Sequence, residues 1–141
     1  MATLSNPTLQ IDPLTGTTYR VTAKVTVQFT PWELSLINPG SGRPGLPVKL
    51  KSNLWGYDGD DRDREGADDS LLLFPTRNIT RSGTYTFSKD VSGRILNEDI
   101  GLRSQDEIYN AFSLVSESPT LISNKTRNSP IVRAFYGSSG V

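Results

Sequence analysis

A chain of 141 residues carries 15 Lys and Arg against 15 Asp and Glu, with no cysteine and no histidine. That length suits one domain with its own core, and the charge balance supplies no net field to draw the chain to phosphate. The missing residue types exclude disulfides, thiol catalysis, thiolate metal sites, and the usual imidazole base or zinc ligand.

The opening MATLSNPTLQIDP lacks a basic start followed by an apolar run, so it does not read as a secretory signal. Residues 1–13 read as an N-terminal extension or edge strand, ordered only by docking on something else. TYRVTAKVTVQF then alternates strictly: Tyr19, Val21, Ala23, Val25, Val27 and Phe29 are apolar, and Arg20, Thr22, Lys24, Thr26 and Gln28 stand between them. Period two over this length predicts a strand with one buried and one wet face. After Pro31 the apolar phase slips to Trp32, Leu34 and Leu36, which predicts a bulge or corner anchored by Trp32. NPGSGRPG, residues 38–45, is turn chemistry throughout.

VKLKSNLW sets Val48, Leu50 and Leu54 against Lys49, Lys51 and Asn53, and SLLLF, GTYTFSKDV and RIL are read as further strands. DEIYNAFSLVS places Ile108, Phe112 and Leu114 inward, with Asn110 breaking the pattern; a helix over SQDEIYNAFSLV is the competing reading. PIVRAFYG closes the chain. Short strands separated by Gly, Pro, Asn and Ser turns predict an all-β fold: a single-domain antiparallel β-sandwich of about seven to eight strands. Its bounds are 14–137, with 138–141 a polar tail. No window holds the roughly eighteen apolar residues of a membrane helix.

One stretch poses a question of chemistry. Asp58, Asp60, Asp61, Asp63, Glu65, Asp68 and Asp69 crowd into twelve positions with Arg62 and Arg64. A second, weaker set, Glu98, Asp99, Asp106 and Glu107, repeats the plan of strand, acids, glycine, acids and strand. Both are expected to be hairpin connections at one end of the sandwich. Calcium takes roughly six to eight oxygen ligands on a sharply bent backbone, and carboxylates at this density could supply them. The alternative is a solvated turn in which the two arginines neutralise their neighbours.

Asp61 to Gly66 reads D-x-D-x-E-G, which resembles the opening of an EF-hand loop. Leu72 stands where that motif needs a bidentate glutamate, and strands flank the segment, so the likeness stops there. LKSNLWGYDGD followed by ADDSLL, within residues 50–73, resembles the strand–acidic loop–strand passage of C2-type calcium-binding β-sandwich domains. The resemblance implies that Asp58, Asp60 and Asp68 hold calcium at a sandwich tip. It departs from that family at Gly56 and in lacking a partner loop of the aspartate-proline-tyrosine kind.

Trp55 and Tyr57 flank the acidic stretch as either a sugar-stacking platform or the edge of the core. The sequons at Asn78 and Asn124 are expected to be incidental. Asp68 with Asp106 could serve acid–base hydrolysis, yet no aromatic-lined cleft is evident. The sequence therefore predicts a non-enzymatic interaction or structural module with calcium on its acidic loop, engaging a protein partner or itself. A self-assembling subunit using the N-terminal segment and a carbohydrate-binding domain are the alternatives; a nucleic-acid partner is not expected, because the basic residues are scattered.

Overall fold

The structure, a computed structural model, describes residues 1–57, 69–96 and 106–134. The described chain is 58% strand and 10% helix, and it forms the expected sandwich of two antiparallel sheets. The first sheet has the order β1-β2-β6, from Thr3–Pro13, Thr18–Gln28 and Gly83–Ser92. The second has β4-β3-β7-β8, from Asp69–Leu73, Val48–Gly56, Asp106–Ser116 and Lys125–Asn128. Beside these, β5 (Arg77–Asn78) pairs with β3, and β9 (Val132–Ala134) pairs with β7.

Alternation built the sheets. Val21, Ala23, Val25 and Val27 are fully buried on the inner face of β2, while Leu50, Leu54, Ile108, Phe112 and Leu114 meet them from β3 and β7. Each of these side chains except the smaller Ala23 contributes about 1.5–3 kcal/mol on full burial. Phe74, Phe87 and Phe112 pack in series between the sheets, with ring centroids 5.8 and 6.3 Å apart. On the outer face of the first sheet Arg20 Nε donates to Asp90 at 2.8 Å across β2 and β6. That hydrogen bond holds the Asp90 carboxyl below the ordinary aspartate value.

Of the two readings of residues 1–13 the edge strand is the one found: β1, at the end of its sheet, pairs with β2 from Thr3 to Pro13, and Ala2 and Leu4 are buried. The structure corrects three expectations. The phase slip after Pro31 is a helix, α1 (Pro31–Ile37). Thr30 caps it, accepting from Glu33 N, while Glu33 Oε1 accepts from Thr30 N at 2.8 Å; Pro31 needs no donor at the first turn. The helix buries Glu33 and Ile37 and leaves Trp32 57% exposed, so Trp32 anchors no corner. RIL belongs to a second short helix, α2 (Gly93–Leu96), instead of a strand. Asn110 does not break β7, because it faces inward with its neighbours of the same parity and is fully buried.

Glu33 joins two elements. Its Oε2 accepts from Ala2 N at 2.9 Å, so the carboxylate that caps α1 also pins the start of β1. Among the described residues no helix is long and apolar enough to cross a membrane.

Candidate functional site

The end of the second sheet gathers what the sequence singled out. Gly56 at the end of β3 faces Asp69 of β4 on one side and Ile108 of β7 on the other. Tyr57 N continues the ladder by donating to Glu107 O at 2.7 Å. The chain therefore leaves at Tyr57, returns at Asp69, and re-enters the sheet at Asp106 on the same rim. By register, Asp69 and Asp106 share the inner face of the sheet.

Residues 57 and 69 belong to hairpin partners, as expected of the first acidic connection. The second acidic segment instead links α2, which follows β6 of the first sheet, to β7 of the second, so it is a crossover between sheets. Of the sequence-predicted ligands, Asp58, Asp60, Asp61, Asp63, Glu65, Asp68, Glu98 and Asp99 lie outside the described residues. Asp69 is exposed at the start of β4, whereas Asp106 is buried. Glu107 is occupied by Arg133, whose Nε donates to it at 2.8 Å. Among the described residues no three acidic side chains gather to hold a metal.

A second feature on this rim comes from Asn128-Ser129-Pro130-Ile131. Ala111 faces Asn128 and Ile108 faces Val132, so two residues of β7 lie opposite three of the neighbouring chain. The cause is local. Pro130 has no N–H for the ladder, and the Ser129 hydroxyl stands where a strand carbonyl would, accepting from Asn110 N at 2.9 Å and donating to the Pro130 carbonyl. Ser129 N meanwhile donates to Asn110 O at 2.8 Å.

An extra residue of this kind interrupts the ladder, and beside it lies a cavity of about 230 Å3 that two aromatic rings also line. Tyr57, Tyr109, Asn128, Ser129 and Ile131 line it. The two tyrosine rings meet edge to face, with centroids 6.4 Å apart and planes at 75°. Trp55 stands directly opposite Tyr109 on the same outer face and extends the aromatic strip across β3. The sequence singled out Trp55 and Tyr57. Tyr109 and Asn128 were missed, since only strand pairing reveals that they adjoin Tyr57.

No family model matches the chain, and no curated protein matches it. Among solved structures it is similar in outline to beta-glucosidase 3B from Thermotoga neapolitana, at 12% identity and a TM-score of 0.39 over 96% of this chain and 17% of that one. A GH3 beta-glucosidase from Bifidobacterium adolescentis gives 8% identity and a TM-score of 0.40 over 93% and 17% of the two chains. DesR, a beta-glucosidase from Streptomyces venezuelae, gives 16% and 0.37 over 92% and 15%. The chain thus spans about a sixth of the length of these proteins, and likeness at this level carries no functional argument.

Proposed function

We propose that the chain is a non-enzymatic β-sandwich interaction module whose acidic end is fixed by calcium. One observation carries the reading: the strand register sets Asp69 and Asp106 on one face of one rim, on either side of Gly56. Asp68 precedes Asp69, Asp58 follows Tyr57, and the Glu98–Asp99 segment runs into Asp106. Both acidic segments are therefore tied to the same sheet end, where an accumulation of like charge is unfavourable. A cation that accepts many flexible oxygens relieves that repulsion, and calcium does so better than magnesium, which demands a small octahedral shell. The non-enzymatic part rests on the absence of His and Cys and on carboxylates engaged elsewhere, Glu33 in the α1 cap, Glu107 with Arg133, and Asp90 with Arg20.

A thermal melt in calcium and in chelator tests this. Calcium at about one hundred times its dissociation constant adds roughly 2.7 kcal/mol to the native state, which raises Tm by several degrees for a domain of this size. Magnesium is expected to raise it less. Asp61→Asn with Asp63→Asn is expected to abolish the shift and to leave the calcium-free protein equally or slightly more stable. One melting temperature in both conditions, for a sample shown to be metal-free by elemental analysis, refutes the proposal.

A further inference from the structure

The cavity beside the Asn128–Ile131 bulge points to a second site, independent of the calcium reading. We infer that it binds a single neutral pyranose ring. Its volume of about 230 Å3 lies below the roughly 300–1,000 Å3 of pockets that take drug-sized molecules, so it has room for one ring. Among the described residues that line it none is charged, so the basic groups that phosphate or carboxylate recognition requires are not among them.

What does line it suits a ligand with one apolar face and a polar rim. The faces of Tyr57 and Tyr109 carry the negative part of the ring quadrupole, which attracts polarised C–H groups such as those on one face of a pyranose. The polar partners in the same lining are Asn128 and Ser129. Asn128 is exposed, and its amide makes no hydrogen bond among the described residues, leaving donors and an acceptor available. Ser129 already accepts from Asn110 N and donates to the Pro130 carbonyl, so its oxygen retains one acceptor position for a sugar hydroxyl. A quaternary ammonium would also suit the rings, but it would leave Asn128 and Ser129 without a role. Trp55, beside Tyr109 on the outer face, offers a platform for a second ring beyond the cavity.

The experiment is saturation-transfer NMR on the intact protein with the methyl pyranosides of glucose, galactose, mannose and N-acetylglucosamine, run in chelator and again in calcium. Tetramethylammonium and inorganic phosphate are the comparison probes. At least one pyranoside is expected to receive saturation on the C–H protons of one ring face, with or without calcium. Tyr57→Leu, which keeps bulk but removes the ring, is expected to weaken it about fivefold or more, the equivalent of roughly 1 kcal/mol. Asn128→Ala, at an exposed strand end, is expected to weaken it while leaving Tm unchanged, so a misfolded Tyr57 variant would not leave the matter open. Failure of every pyranoside, undiminished binding in both variants, or binding of tetramethylammonium instead overturns the inference. So does a sugar signal that requires calcium and survives Tyr57→Leu, which would place the sugar on the ion.

Discussion

Asn110 and Ser52 are two polar side chains in the middle of an apolar sheet face. Asn110 Nδ2 donates to Ser52 Oγ at 2.8 Å, and Asn110 Oδ1 has no partner among the described residues. A buried donor stripped of its acceptor costs more than an intact hydrogen bond contributes, whereas replacing both groups by apolar ones can be neutral. Ser52→Ala is therefore expected to lower stability by about 1–3 kcal/mol. Adding Asn110→Leu to that variant should recover most of the loss, because no polar group then stays unpaired. Urea unfolding of the wild type, the single and the double variant reads this; a double variant less stable than the single one would show that the pair is needed for packing. The inward placement of position 110 was legible in the alternation of β7, and only the polarity of the amide argued against it. The Ser52 contact was not legible, since it runs diagonally between strands whose pairing no local pattern states.

At the scale of elements, β2, β3, β6 and β7 declared themselves because burial on one face imposes period two on the sequence, whereas β1, as long as β2, did not, its register shifting between Ser5 and Thr8. α1 escaped for two reasons. Trp32, Leu34 and Leu36 happen to alternate, and a helix of seven residues is too short to display a 3.6-residue stripe. Its capping signal, Thr30 with Glu33 after Pro31, was present in the sequence. The bulge at Ser129 was out of reach, because it exists only in relation to β7. β1 matters most for function, since residues 2–12 acting as an arm exchanged with a neighbour would have to abandon the ladder with β2 and the Ala2–Glu33 hydrogen bond, whereas the outer edge of β1 could pair with a neighbour in place. Deleting residues 2–12 is accordingly expected to lower the melting temperature by several degrees or more, with loss of the buried Leu4 side chain and the strand ladder. An unchanged melt together with a smaller particle in light scattering would instead make β1 an assembly arm.

For the whole molecule, the register between β3 and β7 fixes how far apart in sequence the central partners are. Val48 faces Ser116 and Gly56 faces Ile108, separations of 116 − 48 = 68 and 108 − 56 = 52 residues. Both acidic segments lie inside the loop that this pairing closes. Closing so long a loop places the chain among slow-folding β topologies, on the order of milliseconds to seconds, and like charges must approach before the apolar contacts form. The refolding rate should therefore rise with salt as the screening length shrinks from about 10 Å to about 3 Å between 0.1 and 1 M, and rise further with calcium, while unfolding changes less. Stopped-flow refolding across that range checks it, and a rate indifferent to salt would mean that the acids meet only after the barrier. Ionic conditions would then govern how fast a newly made chain hides its unpaired strands, and so how long it stays exposed to aggregation.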